Sequence, residues 1–175
     1  MNGEIAKCVF NDIDEVLSLY QSARDLQTKK AMVVWPIFEK KFVEKEIEEQ
    51  RQWKLVIDNA IACNWAITFN DKEIWREKET GDAIYIHRIA THPRFRGNRY
   101  IDRIVSWAKE YAIHNGKRFV RLDTLGNNVR LIGHYTSAGF QFLGMSELLD
   151  TSNLPGHYQK EPNCCLFEID LDRSK

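Results

Sequence analysis

The sequence predicts an α/β fold in which helices cover a central sheet. Segments with helical and with strand periodicity follow one another in the order ααβββαβαββ, which mixes helices with neighbouring strands. The 175 residues are 43% hydrophobic and 11% aromatic, which is enough apolar material for a buried core and too much for a disordered chain. Because no internal repeat and no Gly/Ser-rich or Pro-rich linker divides the chain, we expect one domain over residues 1–175.

Charge and composition argue against several classes of protein. Twenty-five Lys and Arg balance twenty-five Asp and Glu, so no net charge would recruit nucleic acid or a membrane surface. No apolar run approaches the ~20 residues of a membrane span, and Glu4, Lys7 and Asp12 interrupt any signal-peptide core. The cysteines form no CxxC pair and the histidines no HExxH spacing, so we expect no metal site. A cytoplasmic protein without a nucleic-acid or membrane partner is the expectation.

Two helices are predicted at the start of the chain. Asn11 and Asp12 are good N-cap residues, and they precede an apolar stripe at helical spacing. That stripe consists of Ile13, Val16, Leu17 and Tyr20. After a break at Trp35 and Pro36, residues 37–52 carry an apolar edge among mixed charges, which favours a second, partly solvated helix.

Three strands come next in the prediction. Residues 53–57 and 60–69 are two apolar runs separated by Asp58 and Asn59, a dipeptide typical of a tight turn. Polar residues over 70–82 predict a loop, and residues 83–92 alternate as a strand that stops at proline 93.

The second half alternates helices and strands. Residues 101–115 show the clearest helical spacing, and residues 118–124 form the next predicted strand. A short helix over 128–138 is closed by Gly139, and two late strands cover 140–145 and 164–171. The long loop between them, residues 150–163, could cover a site or join a partner in a homodimer, and the sequence does not decide between these.

A basic loop between a strand and a helix predicts an anion site. Residues 88–121 contain nine Lys and Arg against two acidic residues, in a protein of zero net charge. Backbone N–H groups at a helix N-terminus and the positive end of the helix dipole both favour a phosphate there. A locally basic segment suits a compact phosphorylated ligand better than a long nucleic-acid track. A basic surface turn without a ligand is the alternative.

Several spaced motifs in residues 84–145 resemble the GNAT superfamily of acyl-CoA-dependent N-acyltransferases. The pyrophosphate loop of that family, Arg/Gln-x-x-Gly-x-Gly/Ala before a helix, matches residues 94–99. The family's Asn, the Tyr seven residues later and the following Gly-Phe pair match Asn128, Tyr135 and Gly139-Phe140. The resemblance implies a mixed, largely antiparallel sheet of about six to seven strands, splayed at the coenzyme site. It also implies acetyl-CoA as co-substrate and an amine of a small molecule or peptide as acceptor.

The resemblance assigns the coenzyme contacts to two regions. Backbone groups around Ile89 and Thr91 would pair with the pantetheine arm, and loop amides with Arg94 nearby would hold the pyrophosphate. Asn128 would hydrogen-bond the coenzyme near the thioester. The cofactor-binding residues expected are Ile89, Ala90, Thr91, Arg94, Arg96, Gly97, Asn98, Arg99, Tyr100 and Asn128.

Catalytic roles follow from the resemblance and from ordinary acidities. Tyr135 is the expected general acid, because a phenol with a pKa of about 10 stays protonated until a thiolate develops. For the base, His87 and Tyr85 share a strand face by the two-residue period, and Ile89 continues it. A histidine with a pKa of about 6.5 could relay the proton at neutral pH, and a base acting through waters is equally open.

One departure from the family pattern concerns Arg99, which stands where the family has glycine or alanine. Its guanidinium could contact a phosphate oxygen, or it could crowd the site in a non-catalytic acyl-CoA-binding module. A nucleic-acid or protein-interaction domain is a third reading of the basic patch. The acceptor is not identified by the sequence: Trp35, Phe38 and Trp65 either line an apolar acceptor pocket or belong to the core.

Overall fold

The computed structural model describes residues 3–148, 151, 152, 154 and 156–174. Its strands are β1 (Glu4–Lys7), β2 (Gln52–Ile57), β3 (Ala60–Thr68), β4 (Ala83–Thr91), β5 (Phe119–Leu125), β6 (Gln141–Glu147) and β7 (Asn163–Asp170). Its α-helices are α1 (Ile13–Lys29), α2 (Lys40–Glu48), α3 (Lys72–Trp75), α4 (Tyr100–His114), α5 (Val129–Ser137) and α6 (Gly156–Lys160). None of these helices is both long and apolar enough to cross a membrane.

The seven strands form one mixed sheet in the order β1-β2-β3-β4-β5-β7-β6. Strands β1, β2 and β3 pair antiparallel, as do β5, β7 and β6. Strands β4 and β5 pair in parallel over Ala83–Tyr85 and Phe119–Arg121, and α4 lies between them in the chain, as a parallel connection requires. The α/β class and the mixed, largely antiparallel sheet with flanking helices are confirmed. The described parallel pairs cover the first part of β4, and the splay expected at the coenzyme site stays a prediction.

The chain divides into two compact units, and the boundary crosses β4. Unit 1 contains Met1–Ile67 and Ile86–Tyr100, and unit 2 contains Thr68–Tyr85 and Ile101–Lys175. The single domain over residues 1–175 stays a prediction.

Each unit has its own apolar cluster. In unit 1, buried residues from α1, α2, β3 and β4 pack together: Ile13, Val16, Leu19, Tyr20, Val43, Ile47, Ile61 and Ala90. In unit 2, the cluster joins α3 to β4, β7 and the end of β6: Ile74, Trp75, Ala83, Tyr85, Leu148, Cys164 and Leu166. Removing such side chains from water is the main stabilising contribution to each unit.

The structure adds elements that the sequence pattern did not indicate. Strand β1 pairs with β2 from Glu4 opposite Val56 to Lys7 opposite Trp53. The predicted loop over residues 70–82 contains α3, and the predicted loop over 150–163 contains α6. The second helix begins at Lys40 rather than at residue 37. The turn at Asp58 and Asn59 is confirmed, since both residues have positive φ, 49° and 60°, and Ile57 pairs with Ala60.

Candidate functional site

The basic loop of unit 1 runs from the end of β4 to the first residue of α4. At its tip, Gly97 has φ +87°, a conformation that glycine adopts without strain. A Cβ built on Gly97 would meet no atom within 4 Å, so the backbone there is open to a ligand. Asn98 closes the turn by donating from Nδ2 to the carbonyl of Phe95 at 3.0 Å. A helix start three residues after an open glycine tip fits a pyrophosphate.

Two side chains anchor this loop to unit 1. Phe95 is buried, with its ring edge-to-face against His92 at 5.7 Å and Tyr100 at 6.3 Å between centroids. Arg96 donates from Nη2 to the hydroxyl of Ser22 at 2.9 Å and to the carbonyl of Ser22 at 3.1 Å. The Arg96 guanidinium therefore binds α1, and its expected coenzyme contact through the backbone amide stays a prediction.

Arg94 lies on the exposed side of the loop. Its backbone N–H donates to Nδ1 of His92 at 3.2 Å, and its guanidinium lies 4.6 Å from the centroid of the Phe95 ring. Stacking on a buried ring restricts the side chain while leaving its charge near the loop. This arrangement suits the phosphate-binding role that the resemblance implies for Arg94.

Arg99 occupies a left-handed backbone position with φ +50°. Glycine adopts this conformation freely, whereas a residue with a side chain pays about 1–2 kcal/mol in this region. Since Arg99 keeps the conformation that glycine would adopt, the backbone path of the loop does not depend on a glycine at this position.

We expect Arg99→Ala to weaken acetyl-CoA binding by about 10- to 100-fold, the usual value of a charged hydrogen bond of 1.5–3 kcal/mol. Alanine pays the same left-handed backbone cost, so the variant isolates the guanidinium, and calorimetry measures the change. Arg99→Gly is the matched control, since it removes the guanidinium and also relieves the backbone. Tighter binding by both variants would show that Arg99 crowds the site and would favour the non-catalytic module.

Strand β4 contains an irregularity at Arg88, whose φ is +53°. A residue in this conformation interrupts the two-residue period of a strand, so the expected common face of Tyr85, His87 and Ile89 does not extend past His87. Beyond it, Ala90 is buried and the Thr91 hydroxyl lies 3.3 Å from Sγ of Cys63. The pantetheine contacts expected at Ile89, Ala90 and Thr91 stay a prediction.

A buried acid fixes the Arg88 side chain. Glu46 of α2 is 2% exposed and forms ion pairs with Arg88 and, at 3.1 Å, with Arg51. The Arg88 guanidinium lies over the rings of Phe42 and Phe38, at 4.9 and 5.6 Å from their centroids. A buried carboxylate without its cation would be strongly destabilising, so this network secures β4 next to the predicted coenzyme segment.

His87 and Tyr85, the side chains expected to supply the general base, have surroundings that disfavour this role. Burial, followed by the charges of Arg88 and Arg51, lowers the pKa of His87 to about 3, so its imidazole is neutral and weakly basic at pH 7. Tyr85 is fully buried, and its hydroxyl accepts a hydrogen bond from Nη1 of Arg121 at 3.1 Å. Burial and the hydrogen bond to Glu79 raise the pKa of Tyr85. Catalytic roles for His87 and Tyr85 stay predictions.

Asn128 and Tyr135 lie at the start and near the end of α5 in unit 2. Asn128 is the N-cap of that helix, and its Oδ1 accepts from the backbone N–H groups of Arg130 and Leu131 at 3.1 and 3.2 Å. The ring of Tyr135 packs 5.3 Å from the Phe167 ring and 6.0 Å from the Phe140 ring, between centroids. Burial, followed by the charge of Asp123, raises the pKa of Tyr135 to about 12.

A pair of carboxyl groups in unit 2 was missed by the sequence analysis. Asp71 precedes α3 and Asp123 lies in β5, and a carboxylate oxygen of one lies within 4.8 Å of one of the other. Burial raises the pKa of Asp123 to about 6 although the hydroxyl of Tyr158, which donates to Oδ2 at 3.2 Å, acts in the opposite direction. Burial, followed by the charge of Asp123, raises the pKa of Asp71 to about 8. The two carboxyl groups therefore titrate as a pair, and this pair holds a proton to a higher pH than an ordinary aspartate does.

This pair brings a basic group into the same unit as the expected acid. The charge of Asp123 acts on Tyr135, so the two groups lie within electrostatic reach of each other. A carboxyl group with a pKa of about 6 is ionised at pH 7 and still basic enough to take a proton. An acidic residue inside the strand segment RFVRLDT was the sequence signal that could have indicated Asp123.

Of the aromatic residues expected at an acceptor pocket or in the core, Trp65 belongs to the core. It is fully buried in β3. Trp35 and Phe38 are partly buried, pack against the apolar cluster of unit 1, and lie 6.2 Å apart between ring centroids.

Comparisons with known proteins identify the family of the chain. The sequence profile of the acetyltransferase (GNAT) family matches residues 20–140, which is more than half of the chain. The chain therefore belongs to the acetyltransferase (GNAT) family, and the resemblance carried by the motifs is confirmed.

Individual relatives are more distant. The chain is 30% identical over 74 residues to the uncharacterised N-acetyltransferase YesJ of Bacillus subtilis (strain 168), a match that spans 42% of this chain and 41% of that relative. A GNAT-family acetyltransferase from Listeria monocytogenes 4b F2365 superposes with a TM-score of 0.77 at 20% identity, over 97% of this chain and 95% of that one. The protein yncA of Salmonella typhimurium, whose structure contains its cofactor acetyl-CoA, superposes with a TM-score of 0.68 at 13% identity, over 98% and 95%. These structures show the shared fold.

Proposed function

We propose that the chain is an acetyl-CoA-dependent N-acetyltransferase that modifies a primary amine of a small molecule or peptide. The observation that carries the proposal is the loop of unit 1, where Gly97 leaves the backbone open three residues before α4 begins at Tyr100. In a member of the GNAT family, a loop of this shape and charge suits the pyrophosphate of coenzyme A. The acetyl-CoA in the yncA structure and the N-acetyltransferase designation of YesJ support the same activity.

The residues of unit 2 suggest how the protons move. The neutral amine attacks the thioester carbonyl carbon, a nitrogen–carbon bond forms and the carbon–sulfur bond breaks. The Asp123 carboxylate accepts the proton that the amine loses, and the Tyr135 hydroxyl donates a proton to the departing sulfur. A proton passed from Asp123 to Tyr135 then restores both groups, and the products are an amide and a free thiol.

The electrostatics of this pair favour that sequence of steps. Burial raises the pKa of Tyr135 most, and the charge of ionised Asp123 raises it further. Once Asp123 has accepted the amine proton, it is neutral and that charge is removed. The phenol then becomes more acidic at the stage when negative charge develops on sulfur. Protonation of the base thus prepares the acid for the second half of the reaction.

The test of coenzyme binding is thermal stability with and without acetyl-CoA. A ligand that binds the native state must raise the melting temperature, and at 100 times its Kd it contributes about 2.7 kcal/mol. We expect Gly97→Asp to remove most of this shift, because it places a carboxylate and a side chain where phosphate must approach.

Gly116→Asp is the matched control for Gly97→Asp. Gly116 is also exposed, has φ +65° and meets no atom within 4 Å of a built Cβ. Gly116→Asp therefore adds the same charge at another position with positive φ, beyond the C-terminal end of α4, and should leave the acetyl-CoA shift intact. Equal shifts for the parent and Gly97→Asp would contradict the assignment of this loop.

A further inference from the structure

A cavity of about 180 Å³ lies in unit 1 beside α1 and the segment that follows it. Its lining residues are Leu17, Tyr20, Gln21, Arg24, Ile37 and Phe38. Engineered cavities of about 150 Å³ hold a benzene molecule, so this one has room for a side chain of aromatic size. It lies outside the loop and the residues that the proposed function uses.

Most of the cavity wall is apolar. The rings of Tyr20 and Phe38 are 4.8 Å apart between centroids, and Leu17 packs partly buried against the same cluster. Ile37 lies at the rim of the cavity and is 75% exposed. A ligand with an apolar side chain would cover Ile37 and remove it from water.

One end of the cavity is cationic. Arg24 donates from Nε to the carbonyl of Trp35 at 2.9 Å and from Nη1 to Oε1 of Gln21 at 2.7 Å. A guanidinium has five N–H donors, so these two hydrogen bonds fix its orientation and leave three donors for a ligand among the described contacts. None of the six lining side chains is acidic, so the charge of Arg24 is complementary to an anion within the cavity.

The cavity also lies next to the strand that the proposed function places against the coenzyme. The Tyr20 hydroxyl accepts a hydrogen bond from Nε of Arg88 at 3.4 Å, and the Arg88 guanidinium lies 5.6 Å from the centroid of the Phe38 ring. Arg88 directly precedes Ile89, where the pantetheine arm is expected. Two walls of the cavity therefore contact the residue beside that segment, within one unit.

We propose that this cavity binds the acceptor, and that the acceptor is an amino acid with an aromatic or branched apolar side chain. Its side chain would fill the apolar part, its carboxylate would pair with Arg24, and its amine would attack the thioester. This inference rests on the proposed function, which supplies the acetyl group. A carboxylate paired with a planar guanidinium makes two parallel hydrogen bonds, which fixes the position of the neighbouring amine.

The test compares each amino acid with the amine that lacks its carboxylate: phenylalanine with phenethylamine, and leucine with isoamylamine. Thiol release from acetyl-CoA measures turnover, and calorimetry with phenylalanine in the presence of coenzyme A measures binding. We expect the parent to favour the amino acid of each pair. Arg24→Gln should raise KM for the amino acids by about 10- to 100-fold and leave the simple amines unchanged. Arg24→Lys should give an intermediate KM for the amino acids, because lysine keeps the positive charge but cannot make the two parallel hydrogen bonds of a guanidinium.

Lys30→Gln, which removes an exposed charge just after α1, is the matched control. It should leave KM unchanged for both the amino acid and the simple amine of each pair. The proposal would be overturned if the parent acetylated the amino acid and the simple amine equally well. It would also be overturned if Arg24→Gln raised KM equally for the two. Turnover of simple amines without the amino acids would leave the N-acetyltransferase function standing and refute this acceptor. Arg24-dependent binding of phenylalanine without any turnover would support the site and contradict the proposed function.

Discussion

Tyr135→Phe is expected to lower kcat by about 10²–10⁴-fold, the usual contribution of a positioned proton donor. Phenylalanine keeps the ring that packs against Phe140 and Phe167, so the fold and acetyl-CoA affinity should survive. The loss should appear in kcat more than in KM, because the hydroxyl matters mainly once negative charge develops on sulfur. Steady-state thiol release with the best amine measures both constants.

Tyr111→Phe provides the control for this substitution. Tyr111 lies in α4, with its ring stacked 5.0 Å from Trp107, and loss of its hydroxyl should leave kcat within a few-fold of the parent. A thioester with a more acidic leaving thiol should need the donor less and recover part of the rate lost in Tyr135→Phe. If Tyr135→Phe turns over at the parent rate, Tyr135 is a core tyrosine and another group protonates the sulfur.

The parts of the fold that the sequence predicted are those with strong local periodicity. Helix α4 was predicted over residues 101–115 and spans Tyr100–His114, because five of its buried residues fall on one helical stripe. Strand β1 was missed because four residues with exposed Glu4 and Lys7 at its ends carry little pattern. Its pairing with β2 decides its conformation, and that is a tertiary contact.

In the candidate site, too, the features that the sequence could predict are the local ones. The basic loop was predictable because spacing along the chain defines it, whereas the left-handed backbone of Arg99 was not, since arginine does not favour that conformation. The carboxyl pair of Asp71 and Asp123 joins residues about fifty positions apart in the chain, which no local pattern indicates. The pKa of His87 likewise depends on burial and on the charges of Arg88 and of Arg51, which lies in the connection between α2 and β2. Electrostatics of this kind require the folded structure.

The second large effect is expected at Asp123. Asp123→Asn should lower kcat/KM by about 10²–10⁴-fold, because an amide cannot accept the amine proton. The pH profile gives an independent readout. A base with a pKa of about 6 is active when deprotonated, so the parent's kcat/KM, calculated for the neutral form of the amine, should fall as pH drops through about 6 and level off above it. Asp123→Asn should lose this acidic limb together with the rate, and stopped assays across pH 5–9 measure both.

Asp71→Asn separates the base from its neighbour. The pKa of Asp71 is raised to about 8, so its carboxyl group is largely protonated at pH 7, and a neutral amide reproduces that charge. We therefore expect Asp71→Asn to keep most of the activity at pH 7 and to keep the acidic limb, since the carboxylate of Asp123 remains. The two carboxyl groups titrate as a coupled pair. If Asp71→Asn moves the acidic limb to a different pH, that limb would therefore still be assigned to this pair. A full rate and an unchanged acidic limb in Asp123→Asn would instead assign the proton to a base acting through waters. A limb set by His87 would fall near its own pKa of about 3, well below the value expected for Asp123.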